Sequence, residues 1–300
     1  MHRIDRTLLL GVAFLLALVS CGLREPTVPP ETETSTSSWT PTPAPSLTPT
    51  ASPSPTATPV PFTATPRPLY VPTLPHIDIH FIRNGSRDRP FVALTFDMCQ
   101  KPELPASFDQ GIVDVLVKYS VPATFFMGGD WMRTHQAQTR ELAGIPLFEL
   151  GNHSWSHPDF EGLDEATLTR EIMKTQQELY DLTGRQARLF RLPAGHYDAM
   201  GLIMVAWHGL YIIQWDADSA DPVPDNDAQM MSGLVEQRVH NGSIVLFHAN
   251  GRGWHTAEAL PIIIQDMRAQ GYTFVTVSQL IGLDPLPDGT WAGPPESMPH

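Results

Sequence analysis

From residue 91 onward, seven short apolar runs alternate with longer stretches of helical periodicity. Several of the runs are apolar throughout, which is typical of strands that are buried on both faces. This alternation predicts a parallel sheet. Seven repeats indicate an incomplete relative of the eight-fold α/β barrel, with an open doubly wound sheet as the alternative. The predicted strands span residues 91–96, 123–127, 147–150, 188–192, 211–216, 243–248 and 272–277.

Two of the intervening stretches carry clear helix signals. Asp164 is a typical N-cap residue and Gly184 a typical C-cap, so a helix is predicted from Asp164 to about residue 182. A second helix is predicted over about residues 256–270. Each helix keeps its apolar residues on one face: Leu168, Ile172, Leu179 and Leu182 in the first, and Leu260, Ile263, Ile264 and Met267 in the second.

Residues 1–20 have the pattern of a secretory signal peptide. Arg3 and Arg6 precede an apolar run over residues 8–19, which is too short for a bilayer span of about 20 residues. The run ends in Leu-Val-Ser-Cys, which resembles the lipobox of bacterial lipoproteins. The resemblance implies cleavage before Cys21 and lipidation of that residue. The alternative is an ordinary signal peptide in which Cys21 is incidental.

The next segment is dominated by three residue types. Between residues 26 and 75, 34 of 50 residues are Pro, Ser or Thr. Such a composition cannot bury enough apolar surface to offset the entropy of ordering, so residues 21–75 are predicted to form a disordered linker. The folded domain is then expected over residues 76–284, followed by a Pro- and Gly-rich flexible tail at 285–300.

Charge and cysteine content exclude two classes of protein. The chain has 32 acidic and 19 basic residues, so the cationic surface that binds nucleic acid phosphates is not expected. The chain has 2 Cys, which rules out a disulfide framework.

Ionisable residues follow five of the seven predicted strands. Because the carboxyl ends of parallel strands meet at one rim of a barrel, these residues are expected to share one site. They are Asp97 after the first strand, His153 and His157 after the third, Arg191 at the fourth, Asp216, Asp218 and Asp221 after the fifth, and His248 at the sixth.

Two histidines in this set have the spacing of a metal site. His153 and His157 are four residues apart, which lets one turn of chain bring two imidazoles to one ion. His76 and His80 share that spacing, but they lie in an alternating His-Ile-Asp-Ile-His pattern and are interpreted as surface residues. The first pair is the candidate because it follows a buried strand.

Five motifs in order resemble those of the NodB-type polysaccharide deacetylases, carbohydrate esterase family 4. The resemblance covers about residues 90–283 and implies a distorted (β/α)7 barrel. The motifs are Thr95-Phe96-Asp97, His153-Ser154-Trp155-Ser156-His157, Arg191-Leu192-Pro193, Asp218-Ser219-Ala220-Asp221 and Leu246-Phe247-His248.

The resemblance implies a role for each site residue. A divalent metal, usually zinc with Co²⁺, Ni²⁺ or Mn²⁺ as alternatives, would be held by His153 and His157. Asp97 would be the general base, and Arg191 would keep it ionised. His248 would protonate the leaving amine. Asp221 would stabilise the protonated form of His248.

Further residues would hold the substrate. The backbone N–H of Ala194, after Pro193, would stabilise the oxyanion. Trp155 or Trp215 would offer a face for a sugar ring, although a buried structural tryptophan is the alternative for either.

This chain departs from the family pattern at three positions. Met98 stands where the family has a second aspartate that binds the metal. Three interpretations are open: the two histidines hold the metal with added waters, Cys99 serves as a thiolate ligand, or metal affinity is lost and the domain only binds glycans. The first is favoured, and Cys99 is otherwise a small buried hydrophobe. Ala194 and Pro222 replace a usual tyrosine and tryptophan, which leaves the substrate preference open.

The sequence therefore predicts an exported, membrane-anchored lipoprotein on the extracytoplasmic side, monomeric and without a nucleic acid partner. Its expected activity is metal-dependent removal of acetyl groups from an N-acetylated polysaccharide such as peptidoglycan. The alternatives are a non-catalytic carbohydrate-binding lipoprotein and an O-acetyl esterase on the same fold.

Overall fold

In the computed structural model, residues 77–101 and 106–292 are described, and they form one parallel sheet surrounded by helices. The strands are β1 (Phe81–Ile82), β2 (Phe91–Met98), β3 (Ala123–Met127), β4 (Phe148–Asn152), β5 (Leu189–Phe190), β6 (Tyr211–Ile213), β7 (Ala217–Asp218), β8 (Ile244–His248) and β9 (Thr273–Phe274). The helices are α1 (Gln110–Lys118), α2 (Gly129–Thr134), α3 (Gln136–Gly144), α4 (Glu165–Thr183), α5 (Ala199–Trp207), α6 (Ala228–Arg238), α7 (Thr256–Ala269) and α8 (Val277–Leu280), with a 3₁₀ turn at Pro193–Gly195.

The sheet curls until its two ends lie close together. Its strand order is β1-β6-β5-β4-β3-β2-β8-β7, and β9 pairs with the start of β2. Ile213 ends β6 near one edge of the sheet, and Ala217 begins β7 at the opposite edge. Four extended residues span at most about 14 Å, so the two edges cannot be far apart. The prediction of a distorted α/β barrel is confirmed over that of an open doubly wound sheet.

Each of the seven predicted strands overlaps a strand of the structure, although several bounds differ. The predicted strand over residues 211–216 is observed only as β6, which ends at Ile213, and β7 begins beyond it at Ala217, where the chain pairs with β8 instead of β5. The pairing of β1 with β6 is not predicted, because two residues are too few for a periodic pattern.

The two predicted helices are present as α4 and α7. Asp164 caps α4 by accepting a hydrogen bond from the backbone N–H of Thr167, and Gly184 ends it with a left-handed φ of 71°. The apolar face of α7 packs on the sheet through Leu260, Ile263 and Ile264.

Residues along β2 alternate between two environments. Leu94, Phe96 and Met98 pack in the hydrophobic layer between the sheet and the helices. Asp97 is also buried, but its side chain contacts Arg191 and His153 on the opposite, inner face. Because side chains alternate along a strand, Cys99 belongs to the same inner face as Asp97.

The predicted signal peptide, the lipidation site Cys21, the linker and His76 lie outside the described residues. Within residues 77–101 and 106–292, no helix has the length and apolar character needed to cross a membrane. At the other end, residues up to 292 of the predicted tail are described, and Leu286 there is buried at 3% exposure. Arg89 pairs with Asp288, so this part of the tail packs on the domain.

Candidate active site

The candidate site is built around Asp97, whose carboxylate is buried at the carboxyl end of β2. Its Oδ1 accepts a hydrogen bond of 2.9 Å from Nη1 of Arg191, and its Oδ2 lies 3.4 Å from Nε2 of His153. Burial alone would raise the pKa of Asp97. Electrostatic interactions with His153, Arg191 and His248 outweigh that effect and hold the pKa of Asp97 below the usual value. The carboxylate is therefore ionised and able to accept a proton.

Arg191 is completely buried and contacts several strands at once. Its Nη1 also donates to Thr95 Oγ1 at 2.8 Å, and its Nε and Nη2 donate to the carbonyls of Ile213 and Gln214, each at 3.3 Å. The guanidinium lies 4.0 Å from the ring centroid of Phe126. These contacts satisfy a cation that would otherwise be very costly to bury.

His153 has a buried nitrogen without a hydrogen-bond partner. Its Nδ1 lies 2.9 Å from the carbonyl oxygen of Arg191, and only a protonated Nδ1 can donate to a carbonyl. The neutral ring then has a lone pair on Nε2, which faces the negative Asp97 and has no partner among the described residues. Burial lowers the pKa of His153, so protonation does not relieve this contact. The lone pair on Nε2 is therefore available to a cation.

His157 and Cys99 complete a cluster of potential metal ligands. The rings of His153 and His157 lie edge to face with centroids 4.9 Å apart. Cys99 is 2% exposed, and the ligand atoms of these three residues all lie within 4.8 Å of one another. Burial and the neighbouring imidazole of His153 lower the pKa of His157 to about 3, while burial and the negative charge of Asp97 raise that of Cys99 to about 11.

Met98 is fully buried in the hydrophobic layer outside the sheet. The position that holds a metal-binding aspartate in the family therefore faces away from the two histidines here. Cys99, which directly follows β2, lies beside both histidines.

Glu171 fixes the loop that carries the two histidines, and sequence reasoning does not single it out. Its carboxylate accepts hydrogen bonds from the backbone N–H groups of Trp155 and Ser156 and from the Ser156 hydroxyl, at 2.8 to 2.9 Å. Ser154 Oγ accepts from the N–H of His157, whose φ is 57°. The only sequence signal is one acidic residue on the sheet-facing side of α4, among the apolar residues that pack there.

His248, at the end of β8, is paired with a buried carboxylate. Its Nδ1 lies 2.9 Å from Oδ1 of Asp221, and its backbone N–H donates to Oδ2 at 2.6 Å. Thr256 also donates to Asp221 at 2.9 Å. Burial alone would lower the pKa of His248, but Asp221 and Asp97 raise it above the usual value.

Gly253 allows this pair to form, and it is another residue that sequence reasoning misses. A Cβ at this position would lie 2.5 Å from the carbonyl oxygen of His248 and 2.7 Å from Oδ2 of Asp221. No side chain fits there without displacing the backbone that holds the imidazole. In the sequence, this glycine is one of several in a loop.

The segment after Arg191 presents backbone to the site. Pro193 is buried, whereas Ala194 is exposed and has a left-handed φ of 52°. Such a conformation is unfavourable for a residue with a Cβ and concentrates at functional sites. Ala194 also lines a cavity of about 260 Å³ together with Trp215 and Tyr197.

The two candidate tryptophans differ in their surroundings. Trp155 packs against the backbone of Gly129, and the Lys174 ammonium lies 3.5 Å from its ring centroid, so one ring face is covered. Trp215 instead lines the cavity beside Ala194. A second cavity, of about 500 Å³, is lined by His248, Leu246 and Pro222.

Sequence comparison agrees with this geometry. A family model described as polysaccharide deacetylase matches residues 84–212, a span that contains Asp97, His153, His157 and Arg191. His248 lies beyond that span. Together with the relatives and structures below, the match indicates a domain that is similar to the polysaccharide deacetylases.

Two curated relatives illustrate the similarity. The chain is 27% identical over 203 residues to the uncharacterized protein YlxY of Bacillus subtilis, covering 67% of this chain and 60% of that protein. It is 33% identical over 196 residues to the peptidoglycan-N-acetylglucosamine deacetylase PgdA of Listeria monocytogenes, covering 64% of this chain and 39% of that protein. The chain thus spans less than two thirds of the length of either relative.

Two solved structures share the fold. One is a CE4 family pseudoenzyme from Bacillus anthracis, BA3943, with a TM-score of 0.61, 25% identity, and coverage of 68% of this chain and 69% of that chain. The other is a family 4 acetyl xylan esterase from Clostridium thermocellum in complex with a cobalt ion. Its TM-score is 0.54 at 27% identity, with coverage of 64% of this chain and 90% of that chain.

Proposed function

We propose that the protein is a metal-dependent hydrolase that removes acetyl groups from an N-acetylated polysaccharide. The observation that carries the proposal is the buried Asp97 carboxylate, which lies 3.4 Å from an imidazole nitrogen that has a lone pair and no hydrogen-bond partner among residues 77–101 and 106–292. A neutral imidazole with its lone pair directed into a buried polar site is a ligand that a divalent metal accepts.

The residues present fit such an ion. His153 and His157 would hold it, since both are neutral and the hydrogen bond at Nδ1 of His153 leaves Nε2 free to coordinate. When bound, a divalent metal supplies polarisation of the acetyl carbonyl and a lower pKa for the attacking water. Imidazole is a ligand that zinc, cobalt and nickel all accept.

Asp97 acts as the general base. Its ionised carboxylate accepts a proton from the water as the water oxygen attacks the acetyl carbonyl carbon. Arg191 keeps the carboxylate ionised and fixes its orientation through the Oδ1 hydrogen bond. The backbone N–H of Ala194 donates to the oxygen that gains negative charge.

His248 acts as the general acid. Asp221 holds Nδ1 and stabilises the protonated ring, so the proton on Nε2 is the one that transfers. It goes to the sugar nitrogen as the carbon–nitrogen bond breaks, which releases acetate and leaves a free amine. The cavity beside His248 and Leu246 and the cavity beside Ala194 and Trp215 give room for the substrate on two sides.

Peptidoglycan is the proposed substrate class. Support comes from the relative described as a peptidoglycan-N-acetylglucosamine deacetylase and from the N-terminal sequence pattern, which predicts export. We extend the proposal to the location: a lipid on Cys21 anchors a monomeric enzyme on the extracytoplasmic side. The Pro/Thr/Ser-rich linker lets it reach the polymer.

Two alternative functions also have support. The similarity to a CE4 pseudoenzyme, together with Met98, favours a domain that binds glycans without turnover. The similarity to an acetyl xylan esterase favours an ester substrate, which would pass through the same tetrahedral geometry. Paired assays on N-acetylated and O-acetylated oligosaccharides separate these alternatives from the leading proposal.

Acetate release tests the proposal directly. We expect the purified full chain to release acetate from N-acetylglucosamine oligomers and from peptidoglycan. Chelation should abolish release, and zinc or cobalt should restore it. Release should also disappear in His153→Ala. If none of Zn²⁺, Co²⁺, Ni²⁺ and Mn²⁺ supports release while glycan binding persists, the non-catalytic alternative is correct.

The Asp221→Asn variant should narrow the pH range of activity from the alkaline side. The groups facing His248 are Asp221, Asp97 and Arg252, and the first two raise its pKa. A raised pKa keeps the acid protonated to higher pH, so removing the Asp221 charge should move the alkaline limb of kcat to lower pH. The control is Asp225→Asn on the same loop, which is exposed and should leave the profile unchanged. An unshifted alkaline limb in Asp221→Asn would exclude His248 as the acid.

A further inference from the structure

We propose that Cys99 is the third protein ligand of the divalent metal and binds it as a thiolate. The inference rests on the proposed metal site and adds a sulfur ligand to it. It changes which metals the site prefers.

The alternation of side chains between the two faces of the sheet at the end of β2 places Cys99 at the site. Asp97 lies on the inner face of the barrel and Met98 in the hydrophobic layer on the other side. Cys99 follows the alternation back to the inner face and is 2% exposed. A ligand from the end of β2 can therefore come from position 99, and it cannot come from the thioether at position 98, which is turned away.

Distances within the cluster suit one small ion. Sγ of Cys99 and the ring nitrogens of His153 and His157 lie within 4.8 Å of one another. Tetrahedral zinc with bonds of about 2.0 to 2.3 Å needs ligand separations of about 3.3 to 3.6 Å, so side-chain movements of about 1 Å bring them together. The second, independent observation is the buried Nε2 of His153, which has no partner within the described part of the chain.

Asn250 positions the cysteine. Its Nδ2 donates to the carbonyl oxygen of Cys99 at 2.7 Å and lies 3.4 Å from Sγ. Both residues are buried, so this contact fixes the strand end and aims an N–H at the sulfur. A donor to the sulfur favours the thiolate, and such outer contacts are a usual part of metal sites. Asn250 is thus a positioning residue.

The ligand set determines the metal preference. A thiolate with two imidazoles selects zinc and cobalt over manganese and magnesium, which prefer oxygen ligands. Replacing the sulfur by a carboxylate should reverse part of this preference. Metal binding by the Cys99 thiol also releases a proton.

Cobalt absorption spectroscopy on the full chain tests the proposal without any activity measurement. The chain has 2 Cys, so Cys21→Ser makes Cys99 the single thiol and serves as the matched control. We expect Co²⁺ to give a sulfur-to-cobalt charge-transfer band in the wild type and in Cys21→Ser. The band should be lost in Cys99→Ser and in Cys99→Asp.

Metal affinities complete the test. Cys99→Ser should bind zinc at least about tenfold more weakly, and Asn250→Leu about 10- to 100-fold more weakly. Cys99→Asp should still bind one cobalt and gain relative affinity for manganese, which shows that the variant is folded. A wild type that binds cobalt without the band, or a Cys99→Ser that keeps full zinc affinity, would overturn the proposal.

The result is independent of the proposed hydrolysis. A cobalt–thiolate band in a protein that releases no acetate would refute the hydrolase and retain the thiolate ligand. Acetate release without the band would refute the ligand and retain the hydrolase. A chain that binds neither cobalt nor zinc would overturn the metal site and the sulfur ligand together.

Discussion

The Asp97→Asn variant should lose deacetylation by a factor of about 10² to 10⁴, the usual contribution of a general base. The amide keeps an oxygen that can accept the Arg191 hydrogen bond, but it cannot take a proton from water. Acetate release from N-acetylglucosamine oligomers at saturating metal measures the effect. Because binding contacts are unchanged, the loss should appear in kcat and much less in KM.

The same substitution on the surface gives the control for this experiment. Asp114 is exposed on α1, and Asp114→Asn should have the activity of the wild type. Circular dichroism and thermal melting should show that Asp97→Asn is folded. A folded, metal-loaded Asp97→Asn with wild-type kcat would remove Asp97 from the mechanism.

The Arg191→Met variant should lose about 3 to 5 kcal/mol of unfolding free energy, because it leaves the Asp97 charge buried without its partner. Domains are stabilised by about 5 to 15 kcal/mol in total, so the effect should be large. Arg188→Met is the matched control, since Arg188 pairs with Asp284 on the surface, where both side chains are over 40% exposed. That pair should contribute less than about 1 kcal/mol.

A double variant identifies the cause of the loss. In Arg191→Met combined with Asp97→Leu, the uncompensated charge is gone, and part of the lost stability should return. Urea unfolding of the wild type, Arg191→Met, Arg188→Met and the double variant gives the free energies of unfolding. If Arg191→Met costs no more than Arg188→Met, the guanidinium does not stabilise the barrel.

The strand ends explain how much of the site can be predicted from sequence. Short apolar runs show where Asp97, Arg191 and His248 fall, because each follows a buried strand and parallel strands end at one rim. The carboxylate of Asp221 and its partner His248 are also recoverable, through the motifs in which they lie. These predictions need only the order of elements along the chain.

The sequence does not show the local geometry of a residue when that geometry depends on contacts with other strands, helices or loops. The first predicted strand ends at residue 96, whereas β2 continues to Met98, and that difference of two residues decides which of Met98 and Cys99 faces the histidines. The end of β6 at Ile213 and the start of β7 at Ala217 depend on pairing with two different strands, β5 and β8. Glu171 acts through the backbone of Trp155 and Ser156, and Gly253 through its close approach to His248 and Asp221, so no periodic pattern in the sequence marks either residue.

Arg191 links distant strands of the curled sheet from the inside, since one guanidinium reaches Asp97 on β2 and the carbonyls of Ile213 and Gln214 at the end of β6. The guanidinium of Arg191 therefore both holds these strands together and keeps the proposed base, Asp97, ionised. A related chain that loses the Asp97 carboxylate would leave the Arg191 cation buried without its anion. Relatives that lack catalysis should therefore replace Asp97 and Arg191 together, or supply another anion beside the arginine.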